Sequence, residues 1–134
     1  MPVGSPRTHA GISIAIARDP ALVRTVRLVA AAVARRASPS EDLVEEVRLA
    51  VGEACAVMVS GLTGSGDSVE DDDKVRLQMD IGDRLHVALA CAGEGPASYD
   101  GNPIDPWALL RGLTDDLSVT TRDGGTAVAM SWPI

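Results

Sequence analysis

The stretch 38–60, SPSEDLVEEVRLAVGEACAVMVS, constrains the fold of this chain more than any other. Its apolar residues recur at steps of three and four and would form one continuous stripe along a helix; they are Leu43, Val47, Ala50, Val51, Ala54 and Met58. Ser38 as the N-cap, Pro39 at the first helical position and Glu41 three residues after the cap predict where the helix begins. We therefore expect a long helix that is buried along one side.

Length and composition are those of one soluble globular domain. The chain has 134 residues, of which 46% are apolar and 23% are charged, enough to bury a core without disulfides. It contains no Phe, so the core must be built from aliphatic residues and Met. A net charge of −7 argues against a nucleic-acid surface. We find no run long enough to span a membrane and no signal-peptide pattern, and we predict a cytoplasmic protein.

Metal and redox chemistry have weak support in the sequence. The acidic residues of the loop 61–73 do not follow the spacing of a calcium loop, so we predict a solvated loop and no metal site. Cys55 and Cys91 both lie among apolar residues. Buried reduced thiols are the ordinary interpretation, and a disulfide or redox switch is the alternative.

The order of elements predicts the fold class. Residues 1–10 form a flexible tail and 11–134 a single domain. Alternating apolar residues predict strands at 11–17, 74–81, 85–91, 117–121 and 126–132. Helices are predicted from Asp19-Pro20 onward, over 38–60, and from Asp105-Pro106, the last with Trp107, Leu110, Leu113 and Leu117 along one side. The order β-α-α-β-β-α-β-β predicts a two-layer α/β sandwich of the α+β type, with helices on one face of a mixed sheet.

The first predicted helix has a basic polar side. Its inward stripe is predicted to hold Leu22, Val26, Val29, Ala30 and Val33. The polar side carries a single acid, Asp19, against five arginines, which are Arg18, Arg24, Arg27, Arg35 and Arg36. This side is either an ordinary solvated surface, with Arg35 and Arg36 facing the negative helix C-terminus, or a docking face for an acidic protein.

The second helix resembles the ATP-binding helix of the RsbW/SpoIIAB anti-sigma kinases, which have the GHKL (Bergerat-type) fold. The family motif runs close to LAVxEAxxNA, and residues 49–58 read LAVGEACAVM. The resemblance places Glu53 at the position of the catalytic general base. Val57 stands where the family has the asparagine that holds magnesium. Valine has no lone pair, so this motif lacks its metal ligand.

A second family box, DxGxG, reads CAGEG at residues 91–95. The resemblance gives Gly93 and Gly95 the role of letting the backbone approach a nucleotide. Cys91 replaces the aspartate that accepts a hydrogen bond from the adenine amine, and a thiol cannot accept usefully. Gly125 and Thr126 are similar to the closing GT of the family.

The family lid box, GxGL, corresponds to residues 104–107, which read IDPW. Ile104 and Pro106 remove the flexible turn and the backbone donors that would cradle phosphates. The metal, adenine and lid positions are thus altered together. The chain resembles a degenerate serine/threonine kinase without kinase activity, similar to divergent actinobacterial anti-sigma proteins. We predict no cofactor; ATP and magnesium belong only to the alternative of an active kinase.

The resemblance implies a regulator of transcription, of the kind used in stress responses. It would sequester an alternative sigma factor and be countered by a STAS-domain anti-anti-sigma protein, and it would form a homodimer. Arg24 matches the first-helix arginine that touches both partners in the family, with Arg27 one turn further on; an arginine fork suits partner carboxylates. Arg24 could equally be an ordinary surface residue. The alternatives are an active ATP-dependent serine kinase of a STAS partner and a pseudokinase scaffold that pairs with another signalling protein.

Overall fold

The computed structural model describes residues 10–61, 74–93, 98, 99, 102, 103, 105–114 and 116–134. The helical elements are a 3-10 turn (Pro20–Leu22), α1 (Val23–Ala37), α2 (Glu41–Ala56), a π-helical turn that continues α2 (Val57–Gly61) and α3 (Ala108–Leu113). The strands are β1 (Ala10–Ala17), β2 (Lys74–Ile81), β3 (Arg84–Ala92), β4 (Ser98–Tyr99), β5 (Asn102–Pro103), β6 (Leu117–Arg122) and β7 (Gly125–Pro133). The predicted tail and acidic loop lie outside the described residues, except that Ala10 belongs to β1 and Gly61 ends the π-helical turn.

The main sheet has the strand order β1-β2-β3-β7-β6. The predicted α+β sandwich is confirmed, and β1 is an edge strand of this sheet. The prediction of a mixed sheet is wrong, because every neighbouring pair in this sheet is antiparallel. Tight turns join β2 to β3 and β6 to β7, and such hairpins reverse the strand direction. The helix pair between β1 and β2 has the same effect, since α1 runs back along the sheet and α2 returns. β4 and β5 pair with each other apart from the main sheet.

One face of the sheet is buried against the helices. In β2, β3 and β7, alternate side chains are buried; they are Val75, Leu77, Met79, Leu85, Val87, Leu89, Cys91, Thr126, Val128, Met130 and Trp132. β1 and β6 add partly buried apolar residues to the same cluster. The period of two therefore separates a core face from an outer face, and the core is mainly aliphatic, as the absence of Phe requires.

α2 begins two residues later than predicted. The N-cap is Ser40, whose hydroxyl oxygen accepts a hydrogen bond from the Leu43 N–H at 3.2 Å. Ser38 instead ends α1, and its hydroxyl oxygen accepts from the Ser40 N–H at 3.1 Å. Two serines two residues apart both satisfy the capping pattern, and the structure uses the second one. Glu41 and Asp42 then occupy the first turn, where negative charge is favourable.

The buried stripes of the two helices differ in part from the predictions. In α1, Val26 and Ala30 are buried as expected, whereas Leu22, Val29 and Val33 are only partly buried; the full buried set is Val23, Val26, Ala30, Ala31 and Ala34. Leu22 lies in the 3-10 turn, outside α1. In α2 the stripe is confirmed from Val47 to Met58, and Val44 is buried in place of Leu43.

α3 is short, and the chain leaves it at Thr114. Leu117, predicted on the same helical side as Leu110, belongs instead to β6. The β6–β7 hairpin turns at Asp123 and Gly124, which have φ angles of 56° and 80°. Two successive positive φ values match a type I′ turn, for which Asp-Gly is a favoured pair. Among the described helices, none is long and apolar enough to cross a membrane.

Candidate nucleotide site and docking helix

Glu53 and Val57 lie at the C-terminal end of α2, one turn apart. Glu53 is half-buried, whereas the Val57 side chain is only 8% exposed and belongs to the core cluster. At this point α2 changes to a π-helical turn, and the Val57 N–H donates to the carbonyls of both Glu53 and Ala54. An apolar side chain packed in the core cannot coordinate a cation. The α2 end thus keeps the carboxylate of the base position and has no donor atom at the metal position.

The end of β3 is tied to its neighbours by internal hydrogen bonds. The Arg18 guanidinium donates to the Ala92 carbonyl. Gly93, with a φ of 100°, donates its N–H to the Gly124 carbonyl at 2.6 Å. The buried Thr126 hydroxyl donates to the Gly93 carbonyl, also at 2.6 Å. The Ala92 carbonyl and the N–H and carbonyl groups of Gly93 are therefore already bonded within the protein.

The structure brings most of the predicted remnant residues together at this edge. Gly125 pairs with Ala92 across β3 and β7, and a Cβ at Gly125 would lie 3.3 Å from the Cys91 carbonyl oxygen. The strands thus approach closely where the family has its GT residues. Gly95 lies outside the described residues.

Cys55 and Cys91 are buried free thiols, which agrees with the ordinary interpretation of their apolar sequence context. Burial raises the pKa of Cys55 to about 11; the positive charge of Arg27 opposes this shift, and Cys91 adds to it. A thiol of such high pKa is almost fully protonated near neutral pH and is a poor nucleophile.

The lid position is the packed start of α3. The Asp105 carboxylate accepts hydrogen bonds from the Trp107 N–H at 3.0 Å and from the Arg111 side chain at 3.2 Å. Trp107 is buried, 6% exposed, so it is not available as an exposed aromatic for partner docking. Pro106 occupies the turn between these residues. Ile104 lies outside the described residues.

Arg24 and Arg27 differ in their surroundings on α1. Arg24 is exposed, whereas Arg27 is half-buried and lies across α2 at Gly52. A Cβ at Gly52 would be 2.8 Å from the Arg27 Cγ atom, too close for two carbons. The Arg27 Nε atom is buried and, in the part of the chain that the structure describes, has no hydrogen-bond partner. Only a glycine at position 52 lets this arginine lie against α2.

Comparisons with known proteins agree with this geometry. A family model described as the histidine kinase-like ATPase domain matches residues 16–132. The chain belongs to this family. No curated protein matches the chain.

Among solved structures, the chain is similar to the crystal structure of the RsbU and RsbW domains of Rv1364c from Mycobacterium tuberculosis. The match has a TM-score of 0.66 at 15% sequence identity and covers 93% of this chain. It covers 33% of the other chain, so this protein spans about one third of that length. At this identity the match establishes the fold, and the RsbW-like GHKL fold predicted from the motifs is confirmed.

Within this histidine kinase-like ATPase domain, sequence reasoning missed the contact between Arg27 and Gly52. The sequence did hold a signal, because glycine is unfavourable inside a helix and its presence there usually has a packing reason. What could not be read was the partner, since Arg27 lies on another helix. Sequence reasoning also missed Arg18 as the residue that bonds the end of β3.

Proposed function

We propose that the chain is a degenerate RsbW-like anti-sigma factor that acts by binding alone. It would hold an alternative sigma factor in the cytoplasm and release it when a STAS-domain anti-anti-sigma protein competes, without phosphorylating that protein. The observation that carries the proposal is Val57, which is buried in the core at the position of the metal ligand. A family that transfers phosphoryl groups depends on magnesium to position and neutralise the phosphates.

The bonding at the end of β3 supports the same proposal. Arg18, Gly124 and Thr126 occupy the backbone groups of Ala92 and Gly93. A nucleotide base would have to displace these bonds and would find no carboxylate at Cys91 in return. Leaving buried backbone groups without partners costs about 1–3 kcal/mol for each group. Binding of ATP here is therefore unfavourable at both its base and its metal.

The partner contacts are proposed for α1. Arg24 is exposed and can present its planar guanidinium to a carboxylate in a two-bond contact. Arg27 is held against Gly52, which limits the freedom that its side chain would lose on binding. We also propose a homodimer, because β1 is an edge strand among the strands that the structure describes, and edge strands favour pairing with another chain.

Two measurements on the full chain test this proposal. Calorimetric titration with magnesium and ATP should give no measurable heat of binding. A dissociation constant in the low micromolar range, about −8 kcal/mol, would favour the kinase alternative instead. Purification of the tagged protein from its native cytoplasm should recover a sigma factor; recovery of another signalling protein alone would favour the pseudokinase scaffold.

A variant designed to regain ATP binding complements the calorimetric result. A Val57→Asn, Cys91→Asp double variant restores the family residues at the metal and adenine positions. Gain of ATP binding in this variant, with none in the parent, would locate the loss at these two residues. Sedimentation at micromolar protein concentration tests the homodimer separately, and a monomer at that concentration would contradict it.

A further inference from the structure

Large apolar side chains are exposed at a few places in the part of the chain that the structure describes. Leu28 on α1 is 63% exposed and Leu49 on α2 is 42% exposed. Leu109 on α3 and the terminal Ile134 are exposed to similar degrees, 59% and 45%. A single exposed leucine is ordinary, but neighbouring ones mark an interaction surface. The question is whether Leu28 and Leu49 are neighbours.

The helix geometry places them side by side. α1 and α2 pack against each other and are joined by residues 38–40 alone, so they run in opposite directions. Arg27 lies across Gly52 and fixes where the two helices meet. Leu28 follows Arg27 by one residue, and Leu49 precedes Gly52 by three. In antiparallel helices these steps, about 1.5 and 4.5 Å along the axis, point the same way. The two exposed leucines therefore lie on the same side of the Arg27–Gly52 contact, at similar heights along the two helices.

The charges around this leucine pair are asymmetric. Arg24 is exposed one turn before Leu28 and shares its face of α1, and α1 carries four arginines and no acid. On α2, Arg48 and Glu45 form an ion pair at 2.5 Å and offset each other. The other acids near Leu49 are Glu46 and Glu53, one turn away on either side. A partner with carboxylates is thus attracted to the α1 side of the pair.

We propose that Leu28, Leu49, Arg24 and Arg27 form a docking patch for an acidic amphipathic helix of a partner protein. The apolar stripe of that helix covers the two leucines, and carboxylates on its flank meet Arg24 and Arg27. A helix fits because its apolar stripe is about as wide as two leucines on adjacent helices, with charged residues beside it. The identity of the partner as a sigma factor rests on the proposed function, whereas the chemistry of the patch does not.

The patch can be tested with a synthetic helical peptide as the probe. The peptide carries leucines at steps of three and four and glutamates on its flanks, and a second peptide has lysine at each glutamate. The full chain should bind the first peptide and not the second. Leu28→Ser and Leu49→Ser should each weaken binding about tenfold, as expected of apolar anchors at the centre of an interface. Leu109→Ser is the matched control, equally exposed on another helix, and should leave affinity unchanged.

Several results would overturn the patch. They are absence of binding to the glutamate peptide, an equal loss in Leu109→Ser, or loss of self-association in Leu28→Ser without loss of peptide binding. The last result would assign the leucines to a second copy of this chain. Binding of a sigma factor distinguishes failure of the patch from failure of the proposed function. If the sigma factor binds and Leu28→Ser leaves its affinity unchanged, the patch is wrong and the anti-sigma role stands. If the peptide binds as expected and no sigma factor binds, the patch stands and the anti-sigma role is wrong.

Discussion

The α2–β3 end and the outer side of α1 differ in how much of their polar and apolar surface is left to solvent. At the α2–β3 end, Val57 and Cys91 are buried, and the Gly93 backbone is bonded by Gly124 and Thr126. On α1, Arg24 is exposed and Leu28 is 63% exposed to solvent. One region has the backbone groups of Ala92 and Gly93 bonded internally, and the other presents solvent-exposed charge and apolar surface.

The contrast indicates which of the two regions is available to a ligand. Groups that already have partners gain little from a new one, because binding only exchanges one hydrogen bond for another. Exposed arginines and leucines gain when a partner removes water from them. A chain that works by capture needs the second kind of surface and can lose the first.

The largest expected effect is on partner affinity. Arg24→Glu removes a charge-assisted pair and adds repulsion, so the affinity for the proposed sigma-factor partner should fall by about 2–5 kcal/mol if the pair is desolvated. The unfolding free energy should change by at most about 1 kcal/mol, since Arg24 is exposed. The measurements are a binding titration and a thermal melt.

The control for this prediction is Arg122→Glu. Arg122 is also exposed but lies on β6, away from α1. It applies the same change of net charge without touching the proposed docking face. If both variants weaken the affinity equally, the effect comes from net charge, and Arg24 has no special role.

Sequence reasoning was most successful where a pattern is local. The strands of the main sheet and the Asp123–Gly124 turn follow from alternation and turn residues. It failed where the outcome depends on another element: the pairing direction of the sheet, the residues of α1 that are buried, and the arginine that lies across Gly52. These depend on packing between elements, which no single segment encodes.

The second effect concerns the contact between α1 and α2. Gly52→Ala should destabilise the protein by about 1–3 kcal/mol, because the new Cβ would overlap the Arg27 side chain. An alanine inside a helix would otherwise be favourable. Urea unfolding measures the change. Displacement of Arg27 should also weaken binding of the partner protein. The packing of α2 would then affect the affinity of the docking face.

Two variants make that result specific. Gly112→Ala on α3 introduces a Cβ with no atom within 4 Å, so it should stabilise the protein by up to about 1 kcal/mol. Adding Arg27→Ala to Gly52→Ala removes the overlapping side chain and should recover stability relative to Gly52→Ala alone, giving a coupling of about 0.5–3 kcal/mol. Independent, additive effects in this cycle would contradict the contact.

A smaller effect is a loss of stability at alkaline pH. Burial raises the pKa of Cys55 in the folded protein to about 11, whereas an exposed thiol titrates near 8.5. Between these values the unfolded chain releases the proton and the folded chain retains it. Stability should therefore be unaffected by Cys55 below about pH 8.5 and fall by about 1 kcal/mol per pH unit from there to about pH 11, where the folded protein also releases the proton. Cys55→Ala should remove this part of the slope; equal slopes for parent and variant in urea unfolding would mean that the thiol is not shielded.

The last substitution, at Glu53, is expected to leave release of the sigma factor unchanged. If this carboxylate no longer acts as a base, Glu53→Ala should leave release of the sigma factor by the STAS protein unchanged, with or without magnesium and ATP. Folding should change by no more than about 0.5 kcal/mol, because Glu53 is half-buried and has no ion pair among the described residues. The measurement is the rate of sigma release, with sigma affinity recorded for both proteins. Release that ATP accelerates in the parent and not in Glu53→Ala would restore a catalytic role to this end of α2. The contrast between the two regions would then no longer hold.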